Sequence, residues 1–187
     1  KAKEKATFYI VEASSYQLEL VNELKPSIAI LTNLTPDHIE WHGGLNKYIL
    51  AKEKLFKNQD NKDLAIINID NQYGLNFCNK INKRKIKPRI IQISTTQKLE
   101  NSIYLDGENI IDNLGNKKTL IGKVKILTML KGLHNIENIL SSIAASIHIG
   151  LTHDQIRLTL PKYQSLPNRL ETVYISNNLE IINDSKA

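Results

Sequence analysis

The stretch SIAILTNLTPDHIEWHGGLNKYILAKEKLF, residues 27–56, decides the fold. Ile28 to Leu31 is a short unbroken apolar run, as expected of a strand covered on both faces, and it ends in Thr32 and Asn33. A polar loop, LTPDHIEWHGG, leads into apolar residues at helical spacing from Leu45 to about Lys57. Strand, loop and helix in that order begin a β-α-β unit.

The alternation extends to both sides. Thr7 to Val11 is a strand-length apolar run closing on Glu12, and Ser14-x-x-Gln17 matches a capping box for a helix over about Ser15 to Leu24, stopping before Pro26. Leu64 to Ile69 reads as a third strand ending on Asp70, Gln72 to Ile81 as a helix, and Ile90 to Ile93 as a fourth strand. This order predicts an α/β fold, a mostly parallel sheet flanked by helices with right-handed crossovers. Residues 100–130 change texture, with Asp-Gly and Gly-Asn turns that predict a small antiparallel flap on one edge of the sheet. Ile136, Ile139, Leu140, Ile143, Ala144 and Ile147 spell a long core helix. Thr152-x-x-Gln155 caps a shorter helix ending near Pro161, and LPNRLETVYI and LEIINDSKA read as two strands joined by an Asn-Asn turn.

Composition narrows the function. With 187 residues, 41% of them hydrophobic, the chain can bury one good core with a small appendage. Its charge of +6 invites a nucleic-acid reading, but most of the excess is scattered Lys. Arginine is confined to Arg84, Arg89, Arg157 and Arg169, and the run Asn82–Lys87 reads as a solvated loop, so no nucleic-acid partner is expected. Cys78 stands alone, which rules out a disulfide framework or thiolate cluster within the chain. No stretch approaches the length of a membrane span, so no membrane partner is expected and the location is expected to be cytoplasmic.

Ligands of such sheets gather at the carboxyl ends of the strands. Glu12, Asn33 and Asp70 each follow an expected strand, and Asp37 and His38 reach the same rim from the loop. Carboxylate, imidazole and amide oxygen suit Mg²⁺ or Mn²⁺, though Pro-Asp also simply starts turns. Lys52 stands three or four residues from Tyr48, Ile49, Leu55 and Phe56, in the middle of the buried stripe, while Lys47, Lys54 and Lys57 are expected to point outward. Such a lysine either snorkels to the sheet edge or is desolvated enough for its amine to react. Asn135 and Asn138 open a helix after Gly132, where they suit either an adenine or phosphate edge or plain capping. Neither a P-loop nor a dinucleotide glycine motif occurs. Ser14 and Ser15 lack a glycine-flanked elbow and an evident base, and His42, His148 and His153 have no suggestive sequence neighbours.

Taken together and in order, EASSYQLE, NLTPDH with YILAK, GLHNIEN, LPNRLE and NDSKA resemble the Mur ligase family, and the first block resembles its D-glutamate-adding branch. The resemblance implies a P-loop-NTPase-like central domain over 1–165 and the start of a second α/β domain over 166–187. It implies an ATP-dependent amide ligase that phosphorylates the carboxylate of UDP-N-acetylmuramoyl-L-alanine and lets D-glutamate attack the acyl phosphate, as a monomer in the full-length protein. In that reading Glu12, His38 and Lys52 hold Mg²⁺ (or Mn²⁺), Lys52 after capturing CO₂ as a carbamate. Asp37 and Tyr48 support this site. Ser14, Ser15 and Gln17 lie near the sugar-nucleotide substrate or the metal site, Asn135 and Asn138 face the adenine, Arg169 and Asp184 approach the nucleotide and its ribose, and Lys186 lies near the transferred phosphate or the amino acid. Asn168 stands where the branch usually has His, and Trp41 where Arg is frequent. The family's phosphate-binding loop would precede Thr7, so an internal fragment, inactive by itself, is expected. The alternatives are another amide ligase on the same scaffold and a non-catalytic basic binding module.

Overall fold

The computed structural model describes residues 8–37, 39–128, 130–164 and 166–185. The elements follow the order α1 Ser15–Leu20, β1 Ile28–Leu31, α2 Ile39–His42, α3 Leu45–Glu53, β2 Leu64–Asn68, α4 Gln72–Asn82, β3 Arg89–Ser94, β4 Ser102–Asp106, β5 Asn109–Asn113, β6 Thr119–Lys123, α5 Val124–Leu127, α6 Leu133–His148, α7 His153–Thr159, β7 Glu171–Ser176 and β8 Leu179–Asn183. Strands β1 to β6 form one six-stranded sheet in sequence order, and β7 and β8 form a separate antiparallel pair.

The first four strands run parallel and the last three antiparallel, with β4 shared. The expected flap is therefore the continuation of the sheet beyond β3. A link of only a few residues joins parallel β3 and β4 because β4 pairs with no more than Gln92, Ile93 and Ser94, so little backtracking is needed.

Strand β2 explains why this region reads as unbroken hydrophobicity. Each of its residues is buried, and alternation sends them to opposite faces. Leu64 and Ile66 join Ile91, Ile93, Ile139, Leu140 and Ile143 in the core under α6. Ala65 and Ile67 join Tyr48, Phe56, Phe77 and Ile81 in the core under α3 and α4. Each fully buried Leu, Ile or Phe contributes roughly 1.5–3 kcal/mol.

The edges are treated unequally. Arg157 on α7 donates from Nε to the Ile121 carbonyl at 2.7 Å and from its terminal nitrogen to the Leu120 carbonyl at 2.8 Å, which occupies acceptors of edge strand β6. At the other edge, among the described residues, β1 pairs only with β2.

Four expectations are corrected. The run ending at Val11 forms no strand: residues 8–14 have no regular structure, and Phe8 to Val11 are 60–99% exposed, while Thr7 lies outside the described residues. Apolar composition signals an appetite for burial but provides no ladder partner, and a strand needs both. Helix α1 ends at Leu20, where the expectation was Leu24. Side chains take carbonyls in its last turn and beyond it: Lys54 donates to that of Glu19, and Asn58 donates to the Asn22 and Leu24 carbonyls at 2.7 and 3.1 Å. Lys54 therefore turns toward α1 and not outward. The loop before α3 also holds a helical turn, α2. Both capping boxes form as expected, at Ser14 and at Thr152.

Candidate active site

The carboxyl ends of β1, β2 and β3 carry a continuous polar rim. Asn68, the last residue of β2, donates to the Thr32 carbonyl at 2.8 Å and accepts from the Asp70 amide at 2.9 Å. Asn71 caps α4 by accepting from the Gly74 amide at 2.9 Å and donates to Asn33 Oδ1 at 3.0 Å. Asp70 accepts from the Thr95 amide and hydroxyl, both at 2.7 Å, from the Thr96 hydroxyl at 2.8 Å and from Ser94 Oγ. Burial alone would raise the Asp70 pKa, but these donors outweigh it and hold the carboxyl below its usual range. Asp70 thus clamps β2 to β3. Opposite it, Glu137 on α6 is pushed up by burial and by the Asp70 charge, against the Asn68 hydrogen bond and the His134 charge.

Beside the rim, α3 presents Tyr48 and Lys52. The Lys52 ammonium lies 5.1 Å from the centre of the Tyr48 ring, and burial lowers its pKa against the opposing pull of Asp37. Burial also raises the Tyr48 phenol, with Asp37 adding to it. The partly desolvated Lys52 amine thus lies near the Tyr48 ring, and both side chains feel the Asp37 charge. His38 lies outside the described residues. Glu12 is exposed on the irregular segment, and among the described residues no group of three or more His, Cys, Asp or Glu is placed to hold a metal ion.

The remaining candidates separate into three places. On α1, Ser14 and Gln17 bond each other in the capping box, with the Ser14 amide donating to Gln17 Oε1 at 2.9 Å. Ser15 is buried and faces His42. At the start of α6, Asn135 donates to the Lys131 carbonyl at 2.7 Å, which ties the preceding turn to the helix without capping it, and Asn138 is exposed one turn on. At the base of the β7–β8 hairpin, Asp184 accepts from the Leu170 amide at 3.0 Å, with exposed Arg169 next to it. Asn168 suits its position: it adopts φ 66°, which Asn tolerates, and its Oδ1 accepts from Asn183 at 2.9 Å. Lys186 lies outside the described residues.

Residue-level reading missed His42. Its Nε2 stands 3.0 Å from Ser15 Oγ, and its Nδ1 2.9 Å from Glu19 Oε2 without hydrogen-bond alignment. The ring contacts Tyr16, Trp41 and Tyr48 with centroids 5.6, 4.7 and 5.5 Å away. No local signal announces this, because Ser15 and Glu19 lie far back in the chain on another helix.

A mostly parallel sheet with polar groups on its carboxyl rim and a desolvated lysine beside it defines an α/β domain built to bind ligands at strand ends. The chain belongs to the Mur ligase family: residues 1–146 match its middle domain. The chain is 37% identical, over 96% of its length, to the UDP-N-acetylmuramoylalanine–D-glutamate ligase of Natranaerobius thermophilus, and 37% identical over its whole length to that of Rickettsia prowazekii. It spans 38% and 41% of the lengths of those relatives. Among solved structures, it resembles a UDP-N-acetylmuramoyl-L-alanyl-D-glutamate–2,6-diaminopimelate ligase with a TM-score of 0.66 and 25% identity, covering 88% of this chain and 34% of the other. It also resembles the UDP-N-acetylmuramoylalanyl-D-glutamyl-2,6-diaminopimelate–D-alanyl-D-alanyl ligase of Acinetobacter baumannii with a TM-score of 0.61 and 17% identity, covering 91% and 35%, a likeness of fold.

Proposed function

We propose that the chain is the larger part of the middle domain (1–165) and the opening of the next domain (166–187) of an ATP-dependent ligase joining D-glutamate to UDP-N-acetylmuramoyl-L-alanine for peptidoglycan synthesis in the cytoplasm. The observation that carries the reading is Lys52, a half-buried amine 5.1 Å from the centre of the Tyr48 ring, whose pKa burial lowers against the pull of the Asp37 charge. The relatives, named for D-glutamate ligation, match nearly the whole chain. No helix among the described residues is long and apolar enough to cross a membrane. The separate hairpin β7–β8, with Ile175 and Leu179 exposed, has the character of strands that belong to a further packing unit.

In this reading the neutral Lys52 amine attacks CO₂, a C–N bond forms, one proton leaves, and the side chain becomes an anionic carbamate. Desolvation favours the neutral amine that this step needs. The substrate carboxylate takes the terminal phosphoryl group of ATP and releases ADP. The D-glutamate amine then attacks the acyl carbon, loses a proton and expels phosphate. A bound Mg²⁺ or Mn²⁺ would supply charge neutralisation for the phosphoryl group. The carbamate, Glu12 and His38 are the proposed ligands, a set of oxygen and imidazole donors that suits such a cation. Ser14, Ser15 and Gln17 are assigned to the sugar-nucleotide side, Asn135, Asn138, Arg169 and Asp184 to the nucleotide, and Lys186 to the phosphoryl group.

The test is D-glutamate-dependent ADP release by the full-length protein with UDP-N-acetylmuramoyl-L-alanine. Lys52→Ala is expected to abolish turnover and a small added carboxylate to restore part of it. Unchanged turnover in Lys52→Ala removes the carbamate role, and turnover with another amino acid alone redirects the specificity.

A further inference from the structure

Helix α1 is six residues long, too short to persist without tertiary ties. Three of its side chains converge on one buried ring: Ser15 and Glu19 meet the two nitrogens of His42, and Tyr16 stacks against it. The His42 side chain is fully buried. Its other side packs on Tyr48, and Tyr48 carries the Lys52 ammonium over its ring. His42 is therefore a buried junction, beside the Lys54 tie to the Glu19 carbonyl, between the helix bearing Ser14, Ser15 and Gln17 and the helix bearing Lys52.

Serine, imidazole and carboxylate in sequence resemble a nucleophilic triad, but Ser15 is only 4% exposed and sits in the first turn of a helix. Its hydroxyl lies against the imidazole inside a packed cluster and not on the exposed strand-to-helix elbow that a serine nucleophile needs. The contact has a mechanical use instead. A buried imidazole whose nitrogens both face one short helix fixes the position of that helix, because moving it would strand a polar ring in an apolar pocket.

We propose that His42 is a positioning residue, setting α1 against α3 so that the carboxylate substrate gripped from α1 is aligned with Lys52. This rests on the ligase reading. It places the effect of His42 on capture of the carboxylate substrate, since the nucleotide candidates lie on α6 and the hairpin.

The experiment uses the full-length protein with His42→Phe, which keeps the ring and loses both polar contacts, and His42→Gln, whose amide can still reach Ser15. His42→Phe is expected to raise KM for the carboxylate substrate about tenfold, the effect of one lost hydrogen bond, with KM for ATP unchanged. His42→Gln is expected to recover most of that loss. Trp41, the sole tryptophan, touches His42 and reports through its fluorescence that the cluster has folded. Should His42→Phe not fold, Glu19→Gln, which removes the charge 2.9 Å from Nδ1, carries the test, with KM raised about threefold. Unchanged KM in the folded variants overturns the inference, as do equal losses in His42→Phe and His42→Gln that follow thermal stability. Failure of the unsubstituted protein to ligate overturns the function reading itself.

Discussion

Gly74 in α4 passes so close to the end of β2 that a methyl group on it would stand 2.0 Å from the Asn68 carbonyl oxygen. The contact is backbone against backbone, so no side chain can rotate away. Gly74→Ala is expected to destabilise the protein by about 1–3 kcal/mol, more than the helix propensity it gains. Thermal melting should show a fall of roughly 2–10 °C, and because Asn68 anchors the rim, ligand affinity should fall with it.

Asp70 gives an acid-side prediction. Its folded pKa lies below its unfolded value, so its contribution is present above the ordinary carboxylate range and is lost as pH falls through the folded value. Asp70→Asn should lower stability at neutral pH and flatten the dependence of melting temperature on pH below about 4. An unaltered acid profile would show that the clamp of β2 to β3 does not depend on the charge.

Lys52 gives the opposite sign. Burial lowers the pKa of a base, so the unfolded state binds more protons, and stability rises with pH through the window between the folded value and the ordinary one of 10.5. Lys52→Met removes the penalty and should leave the melting temperature at neutral pH no lower than that of the parent. The full-length protein is expected to give a carbamate carbon resonance with ¹³C-bicarbonate, and Lys52→Met should abolish it. Retention of that signal would place the carbamate elsewhere.

Arg157 guards the β6 edge. Arg157→Ala frees two carbonyls and should cost about 1–3 kcal/mol while promoting self-association on size-exclusion chromatography. Lys, a point charge without the planar fork, should restore only part of the loss.

The chain announces what local pattern can carry. The α6 stripe, the two capping boxes and the apolar runs at β1, β2 and β3 each encode their element within a few residues. Lys52 was legible for the same reason, since its neighbours on the helix expose the anomaly. The run ending at Val11 was not, because strand formation depends on a partner outside the run. Neither His42, the edge role of Arg157 nor the inward turn of Lys54 has a local signature, because each depends on contacts about 27 to 37 residues away.

The uniform burial of β2 bears on how the candidate site breathes. Amides of Ala65 to Asn68, hydrogen-bonded between two parallel neighbours and sealed on both faces, should exchange with solvent only on global opening. Helix α1, held mainly by side chains, should exchange through local opening at far lower cost. Ser14, Ser15 and Gln17 would then exchange on a faster clock than Asn68 and Asp70, and the His42 cluster would set how often α1 leaves its place.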